Sequence, residues 1–386
     1  MDRPRSADVV IVGGGAIGVS VAYHLAVAGA GRVLLVEREP GLGLGSTGRC
    51  AGGFRHQFSS EINVRLSIES VRMLKAFSDE HGLPLDLHAD GYLFLCREAA
   101  TWQAYQAAAA MQRDLGVDVR LLSGPEAQDL VPGLAVDDVI GATFCPDDGI
   151  ADPAGLTSGF AIAARRAGAT IETGVTATAI RSISGRVTGI ETPDGPIEAP
   201  VVINAAGVWA PALAATVGLI LPIEPLPRHI AVTAPFAGRP ARRTLVIDAE
   251  TTFYFHREGD GVLMGMPKRG ESSTFDTRID DAFIAGELLP QAVRVYPPLE
   301  DASLAATWVG LYEMTPDRHP ILGPVDGIAG LFLAAGFSGH GFQHAPIVGK
   351  LIAEQIVDGE ARTVNIAGLN LDRFGQRQAV VERNVV

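Results

Sequence analysis

The stretch Asp8-Val9-Val10-Ile11-Val12-Gly13-Gly14-Gly15-Ala16-Ile17-Gly18 decides the fold of this chain. An apolar run, typical of a buried strand, leads into Gly13, Gly15 and Gly18, which have the G-x-G-x-x-G spacing. The first glycine allows a sharp turn, the second lets backbone approach a pyrophosphate, and the third lets a helix pack closely. The helix predicted here ends near Gly29, and its N-terminus offers free N–H groups to a phosphate.

A carboxylate follows at the distance that a dinucleotide-binding fold requires. Glu37 comes 19 residues after Gly18, at the end of a predicted strand over residues 32–36. There it can accept hydrogen bonds from both ribose hydroxyls of an adenosine. The alternative is a surface turn whose glycines bind nothing. Strand, glycine turn, helix and acid in this order favour a dinucleotide site.

Composition and charge narrow the class of protein. The chain has 386 residues, enough for two domains or one elaborated domain, with 47% hydrophobic residues and 45 glycines. The net charge is −13 and no long basic run occurs, so nucleic acid and anionic membranes are not expected partners. No apolar run reaches the ~20 residues of a membrane helix, and residues 1–6 lead directly into the first strand, so no membrane span or secretory signal is expected.

The cysteines and histidines predict neither disulfides nor a metal site. Cys50, Cys96 and Cys145 are odd in number and far apart, without a C-x-x-C motif. The nine histidines show no spacing typical of metal ligands, so no metal is predicted. A reducing, cytoplasmic location is therefore expected.

The order of predicted elements indicates an α/β fold with α+β elements: a Rossmann-like domain with an inserted antiparallel-sheet domain. Apolar and polar residues alternate over 228–233, 252–256 and 261–266, as in strands with one solvated face. Helices are predicted over 61–81, 99–115, 123–130, 153–167, 287–296 and 346–357. We assign residues 1–85, 146–219 and 318–386 to the dinucleotide-binding domain, and residues 86–145 and 220–317 to the substrate domain.

Three predicted strands that end in glycine lie far apart in the sequence, at 9–13, 201–207 and 331–336. A nicotinamide dehydrogenase normally completes its cofactor site in the N-terminal half, whereas a flavin enzyme of this type brings separate segments to one cofactor. The glycine-rich loop 336–343 precedes a helix predicted to start at Pro346, so its N–H groups can stabilise negative charge on a flavin. The alternative is an ordinary turn between a strand and a helix.

Five motifs resemble those of the flavin amine and amino-acid oxidoreductases, the family that includes sarcosine oxidase, glycine oxidase and D-amino-acid oxidase. The resemblance covers essentially the whole chain. Within the family, the segments 55–58 and 311–317 are most similar to sarcosine oxidase β subunits and β-type proline dehydrogenases. The motifs are Val12 to Gly18, Gly45-Ser46-Thr47, Asn204-Ala205-Ala206-Gly207-Val208-Trp209, Trp308-Val309-Gly310-Leu311-Tyr312-Glu313-Met314-Thr315-Pro316-Asp317 and Gly336-Phe337-Ser338-Gly339-His340-Gly341.

The resemblance implies a glutathione-reductase-like flavoprotein topology with an extended FAD whose isoalloxazine lies against the inserted sheet. Non-covalent binding is expected, because the cysteine that tethers flavin in monomeric sarcosine oxidase corresponds to about Gly310; His56 is the remaining candidate tether. The expected cofactor-binding residues are Gly13, Gly15, Ala16, Ile17, Gly18, Glu37, Arg38, Ser46, Thr47, Arg49, Cys50, Ala51, Gly52, Gly53, Val175, Ala205, Ala206, Gly207, Trp209, Gly310, Gly336, Ser338, Gly339, His340, Gly341, Phe342 and Gln343.

The resemblance also implies hydride transfer from the carbon beside a substrate nitrogen to flavin N5, giving an imine. The substrate would be a small secondary amino acid such as sarcosine or proline. Arg55 is predicted to bind its carboxylate, the alternatives being an internal salt bridge or a flavin phosphate. His56, Tyr312 and His340 are predicted at the flavin face, although each could be a structural donor. Tyr254, in the aromatic run Phe253-Tyr254-Phe255, is predicted to line the pocket, unless the run is ordinary strand composition.

Three positions depart from the pattern of these relatives. Tyr312 stands where glycine oxidases and D-amino-acid oxidases carry a carboxylate-binding arginine, which disfavours a primary D-amino acid. Gln343 stands where monomeric sarcosine oxidases carry a lysine. The segment Val262-Leu263-Met264 replaces the lysine strand that helps oxygen react with reduced flavin, although Lys268 is close in sequence. A dehydrogenase with another electron acceptor, or a slow oxidase, is therefore expected.

Three other functions remain open from the sequence. A flavin dehydrogenase of 2-hydroxy acids would share the dinucleotide site and could also use Arg55. The chain could also be a flavin-containing subunit that needs a partner chain. Either a hetero-oligomer or a homo-oligomer is possible. A non-catalytic dinucleotide-binding protein would lack the aromatic pocket.

Overall fold

The computed structural model describes residues 4–375 and 380–384. Two large sheets dominate it, one of six strands and one of eight, and two three-stranded sheets accompany them. The strands are β1 (Val9–Val12), β2 (Val33–Glu37), β3 (Gly53–Phe54), β4 (Leu87–His88), β5 (Tyr92–Cys96), β6 (Arg120–Leu122), β7 (Gly141–Cys145), β8 (Gly149–Ala151), β9 (Thr170–Thr173), β10 (Ala179–Ile183), β11 (Arg186–Glu191), β12 (Ile197–Glu198), β13 (Val201–Asn204), β14 (Glu224–Thr233), β15 (Leu245–Asp248), β16 (Tyr254–Glu258), β17 (Gly261–Met266), β18 (Leu304–Met314), β19 (Ile321–Pro324) and β20 (Leu331–Ala335).

The six-stranded sheet has the order β19-β20-β13-β1-β2-β9. All its neighbours pair in parallel except β19 and β20. Val9 lies opposite both Val33 and Val201, and Val202 lies opposite Leu331. The three strands predicted to end in glycine, here β1, β13 and β20, are therefore adjacent. Because parallel strands end at the same edge, the segments after them meet there.

The eight-stranded sheet has the order β18-β14-β17-β16-β15-β5-β7-β6. Its strands come from residues 92–145 and 224–314, so two separate stretches of chain build one sheet. The sheet is predicted to be antiparallel, and its neighbouring strands do pair so except β5 and β15, which pair in parallel. The alternating pattern of a single strand does not reveal its neighbour's direction. The two smaller sheets have the orders β10-β11-β12 and β3-β8-β4.

Most helices lie where the sequence predicts them, and their caps follow the expected chemistry. Ser123 and Glu126 form the capping box of α4, and the Asp152 side chain accepts hydrogen bonds from the N–H groups of Ala154 and Gly155. The helices are α1 (Ala16–Val27), α2 (Glu61–His81), α3 (Ala99–Asp114), α4 (Gly124–Leu130), α5 (Pro153–Arg166), α6 (Ala210–Ala215), α7 (Asp281–Phe283), α8 (Leu289–Val295) and α9 (Gly341–Val357); a π-helical segment (Ile284–Leu288) joins α7 to α8.

One helix boundary differs from the prediction in a way that matters for the site. Helix α9 begins at Gly341, not at Pro346, which lies inside the helix. Proline is favoured at the first turn, and this preference placed the predicted start too late. The loop before α9 is therefore 336–340. The N–H groups of Gly341, Phe342 and Gln343 belong to the first turn of the helix.

The main core packs helices α1, α2, α5 and α9 against one face of the six-stranded sheet. Ile11, Leu25, Leu35, Phe77 and Leu351 are among its fully buried residues. Burying such side chains contributes about 1.5–3 kcal/mol each. The eight-stranded sheet has its own cores, which hold Phe253 and Phe255 on one side and Tyr254 on the other. In the described part of the chain, no helix has the length and apolar character needed to cross a bilayer.

Candidate cofactor and substrate site

A groove of about 1030 Å³ runs along the edge where β1, β13 and β20 end. Clefts at this edge of an open parallel sheet are the usual ligand sites of such folds. Most of the predicted cofactor residues line it: Gly13, Gly15, Ala16, Ile17, Glu37, Arg38, Ser46, Thr47, Arg49, Val175, Ala205, Ala206, Gly207 and Trp209.

The glycine turn after β1 has no room for side chains. Gly13 has a φ of +116°, and a Cβ there would collide with the carbonyl oxygen of Ala205. A Cβ on Gly18 would collide with the carbonyl oxygen of Gly13, so Gly18 supports the turn from behind. Helix α1 then begins without a side-chain cap, and Thr47 Oγ1 accepts a hydrogen bond from the Ala16 N–H at 3.2 Å. This arrangement fits a pyrophosphate at the helix N-terminus.

Glu37 lies at the end of β2, as predicted. Its Oε2 accepts a hydrogen bond from the Gly14 N–H at 2.6 Å, and its Oε1 accepts one from the Glu39 N–H at 2.8 Å. A carboxylate has about four lone-pair sites, so both oxygens keep acceptor capacity. The side chain is thus held in place and can still accept hydrogen bonds from ribose hydroxyls.

The groove also contains residues that the sequence analysis did not select. Phe275 and Thr277 reach it from the segment 267–280, which has no regular structure. Phe275 stacks on Trp209 with ring centroids 6.2 Å apart, and the Arg38 guanidinium lies 3.8 Å from the Trp209 ring. Glu313 also lines the groove; it lies inside a motif that carried the resemblance, but nothing local marked it.

A second, smaller cavity of about 60 Å³ adjoins the groove, since Arg49 and Leu311 line the groove and their chain neighbours Cys50 and Tyr312 line the cavity. Its other lining residues that were predicted are Ala51, Gly52, Gly53, Arg55, Tyr254, Ser338, Gly339, His340, Phe342 and Gln343. Tyr92, Leu245 and Ile247 line it too and were not predicted. The remaining predicted residues line neither space: Gly18, His56, Gly310, Gly336 and Gly341.

Arg55 is buried, 5% exposed, in the wall of the small cavity. Its guanidinium donates to the carbonyl oxygens of Gln57, at 2.5 Å, and Asn384, and lies 3.9 Å from the Phe58 ring. Among the described residues no carboxylate forms an ion pair with it. Because a guanidinium has five N–H donors, two carbonyl acceptors leave it able to bind an anion.

His56 turns away from the cavity. Its Nδ1 lies 2.6 Å from Asp148 Oδ1, and Gln57 donates to Asp148 Oδ2 at 3.1 Å. Cys145 Sγ lies 3.9 Å from the same His56 nitrogen, and burial raises the pKa of this thiol. The structure thus gathers three metal-ligating residue types, but hydrogen bonds between them account for the arrangement.

A chain of hydrogen bonds fixes the proton on each ring of a buried histidine pair. His344 Nε2 accepts from Ser67 Oγ at 2.9 Å and from Gln343 Nε2 at 3.3 Å, so the proton of His344 is on Nδ1. That nitrogen donates to His340 Nδ1 at 3.3 Å, and His340 Nε2 donates to the Arg318 carbonyl oxygen at 3.1 Å. Burial lowers the pKa of His340 to about 3. Both nitrogens of this neutral ring are therefore engaged.

Three tyrosines face the small cavity, and a glycine makes room for each ring. A Cβ on Gly53, Gly265 or Gly339 would collide with Tyr92, Tyr254 or Tyr312, respectively. Burial raises the pKa of all three phenols, so they stay protonated and can donate hydrogen bonds.

The segment 380–384 lies beside Arg55. Glu382 has no exposed surface, and its carboxylate accepts hydrogen bonds from the hydroxyls of Ser59, at 2.5 Å, and Ser60, at 2.6 Å. Burial opposes its ionisation, but these hydrogen bonds lower the pKa of Glu382 to about 2. The anchored carboxylate holds the segment that supplies the Asn384 carbonyl oxygen to Arg55.

Comparison with known proteins adds independent findings. Residues 8–355 match the family described as FAD dependent oxidoreductase (DAO). The chain is 31% identical to FAD-dependent oxidoreductase domain-containing protein 1 of Xenopus laevis, covering 99% of this chain and 85% of that protein. It is 30% identical to human mitochondrial sarcosine dehydrogenase, covering 96% of this chain but 42% of that protein's length. The structure of L-proline dehydrogenase from P. horikoshii superimposes with a TM-score of 0.91 at 32% identity, covering 97% and 99% of the two chains.

Proposed function

The chain belongs to the FAD-dependent oxidoreductase family, and we propose that it oxidises the C–N bond of a small secondary amino acid, such as sarcosine or proline. The groove with its glycine turn and Glu37 would hold the FAD dinucleotide, and the small cavity would hold the reacting part of the substrate. When bound, the flavin supplies the hydride acceptor, and the substrate leaves as an imine that water hydrolyses.

The observation that carries this proposal is the buried charge of Arg55, which has no carboxylate partner among residues 4–375 and 380–384. In the described part of the chain, two other arginine side chains are similarly buried, and each has an aspartate partner 2.7 Å away: Arg97 with Asp248, and Arg373 with Asp317. A buried charge is costly unless it is paired, so a carboxylate from outside the chain is the natural partner of Arg55. Its position in the cavity wall supports a substrate carboxylate as that partner.

The other polar groups of the site support positioning rather than acid–base catalysis. Gln343 accepts a hydrogen bond from the Arg55 N–H at 2.8 Å and so fixes the backbone that carries the guanidinium. His340 is neutral and has both nitrogens engaged, so we propose a structural role for it. Tyr254 and Tyr312 remain protonated donors beside the substrate. Orientation of the C–H bond would then supply most of the rate enhancement.

We propose a dehydrogenase with non-covalent FAD. Lys268 pairs with Asp280 at 2.6 Å and lines neither space, which supports a dehydrogenase without the lysine that helps oxygen react with reduced flavin. His56 is hydrogen-bonded to Asp148, which disfavours it as a covalent attachment site for the flavin.

The domain division given above, the cytoplasmic location and an oligomeric state with or without a partner chain stay proposals. Three free cysteines are consistent with a reducing compartment.

The decisive experiment follows the flavin spectrum of the purified protein without oxygen. Sarcosine, L-proline, D-amino acids and 2-hydroxy acids are added in turn, and we expect bleaching of the flavin band by a secondary amino acid. Slow recovery of the band in air would support a dehydrogenase. Bleaching by a 2-hydroxy acid alone would overturn the C–N assignment, and a colourless protein that refuses added FAD would overturn the whole proposal.

A further inference from the structure

Glu313 is a carboxylic acid in the wall of the groove that the proposed reaction does not use. It lies on β18 with a half-buried side chain, and its Oε2 accepts a hydrogen bond from the Gly336 N–H at 2.9 Å. A Cβ added to Gly207 would lie 3.7 Å from the same oxygen. Because Gly207 and Gly336 follow β13 and β20, Glu313 lies at the same edge of the sheet as the glycine turn after β1.

We propose that Glu313 must carry a proton while the dinucleotide is bound, so that FAD binding takes up a proton from solvent at neutral pH. FAD has to occupy this groove for the coupling to exist, so the proposal rests on the proposed function. A neutral carboxyl can also donate a hydrogen bond to an acceptor on the cofactor, which an ionised carboxylate cannot do.

Two physical effects favour the protonated form when the cofactor is present. Burial already raises the pKa of Glu313 to about 7, opposed by the N–H groups of Gly336 and Phe337. A cofactor in the groove would cover the remaining exposed surface, and desolvation disfavours the charged form further. The pyrophosphate belongs at the N-terminus of α1, after β1. Glu313 contacts the Gly336 N–H just after β20, which lies two strands from β1. A pyrophosphate at the end of β1 would therefore lie about 10 Å from Glu313, and its negative charge would also favour the protonated acid.

The groove contains other charged residues besides Glu313. Within the described lining these are Glu37, Arg38, Glu39 and Arg49, and neither a histidine nor a cysteine is among the lining residues. Arg38 lies over Trp209, and Arg49 donates to a carbonyl oxygen of β18. The residue opposite Glu313 on β14 is a proline, which does not titrate. A change of protonation near pH 7 is therefore expected at Glu313.

The test measures FAD affinity of the apoprotein by flavin fluorescence between about pH 6.5 and about pH 8.5. For the unmodified chain we expect the affinity to fall on the order of tenfold from the low to the high end of this range. The reason is that above its pKa Glu313 has to be protonated before FAD can bind. Glu313→Gln removes the titration and keeps an acceptor for the Gly336 N–H, so its affinity should be nearly constant and higher than that of the unmodified chain at pH 8.5. Glu39→Gln, which removes an exposed carboxylate of the same groove, should keep the pH dependence.

Calorimetry in two buffers of different ionisation enthalpy gives a second readout that needs no variant. At about pH 7.5 we expect uptake of more than about half a proton per FAD bound by the unmodified chain, and none by Glu313→Gln. Affinity independent of pH without proton uptake would overturn the role of Glu313 while leaving FAD binding intact. The role would equally be overturned if Glu313→Gln kept the full pH dependence. Failure to bind FAD at any pH would instead overturn the proposed function.

Discussion

At the scale of single residues, two charged side chains of this site have neutral backbone groups as hydrogen-bond partners. Arg55 is a buried cation held by carbonyl oxygens, and Glu313 is a half-buried acid held by an N–H group. Carbonyl oxygens orient a guanidinium without neutralising it, so the cation keeps its attraction for a carboxylate. This arrangement supports the proposal that Arg55 binds an anionic ligand.

Substitution of Arg55 tests this interpretation directly. Arg55→Ala should lower kcat/KM for carboxylated substrates by about 100-fold or more, equivalent to about 3 kcal/mol, while FAD stays bound. The measurement is the rate of anaerobic flavin reduction against substrate concentration. Arg65→Ala, which removes an exposed arginine of α2, is the matched control and should leave the rate unchanged. Loss of FAD with unchanged substrate kinetics would contradict the assignment.

At the scale of elements, the cavity is shaped where a glycine lies next to a tyrosine of a neighbouring segment. On β17, Gly265 lies opposite Tyr254 of β16 and leaves the space that the phenol occupies. A side chain at this position would collide with the phenol and displace it. The same relation holds between Gly339, in the loop before α9, and Tyr312.

Gly265→Ala should therefore raise KM on the order of tenfold with little effect on FAD content, because a displaced Tyr254 narrows the cavity. Substrate titration of the flavin spectrum measures the change. The control is Gly286→Ala in the π-helical segment, where an added Cβ meets nothing within 4 Å. Equal effects of the two substitutions would show that the cavity wall is not involved.

The capping box of α4 gives an element whose stability can be tested away from the site. Ser123→Ala removes the side-chain acceptor of the Glu126 N–H and should destabilise the fold by about 1 kcal/mol. Urea unfolding measures this difference. Ser123→Asp, which restores an acceptor, should recover most of it, and a stability loss as large as that of Ser123→Ala would argue against capping as the cause.

At the scale of the whole molecule, segments from every part of the chain meet at one place. The ends of β1, β13 and β20 form the floor of the groove, β18 and the segment 267–280 form its wall, and residues 380–384 lie against Arg55. The Glu382 carboxylate accepts hydrogen bonds from the hydroxyls of Ser59 and Ser60 and so holds residues 380–384 in place. This carboxylate has a pKa far below the ordinary value of 4.5, so it stabilises the native state only while ionised.

This linkage predicts how acid weakens the molecule. A lowered folded-state pKa gives stability that is present above about pH 4.5 and is lost as the pH falls toward 2. Glu382→Gln should therefore reduce the free energy of unfolding by about 3 kcal/mol near pH 7, and by less than half of that near pH 3. Urea unfolding at both pH values measures the difference. The exposed Glu360→Gln should have little effect at either pH, and a constant deficit for Glu382→Gln would contradict the linkage.

The sequence by itself determined the local elements, the dinucleotide motif and the flavin family. These follow from patterns within about 30 residues, such as the glycine spacing before α1, the acid at Glu37 and the capping box at Ser123. The resemblance also brought Arg55, Tyr254 and Tyr312 to attention, and all three line the small cavity.

Only the tertiary structure decided which distant groups meet. Strand pairing and loop packing place three residues that were not predicted in the walls of the groove and the cavity: Tyr92, Phe275 and Glu313. The parallel pairing of β5 with β15 also has no signature in the local sequence. Likewise, the proton positions of His340 depend on a hydrogen-bond chain to Ser67 on another helix. Local patterns specify how a segment folds, because they reflect backbone preferences and one buried face. Which segments distant in sequence come into contact is decided by burial and hydrogen bonding over the whole folded molecule.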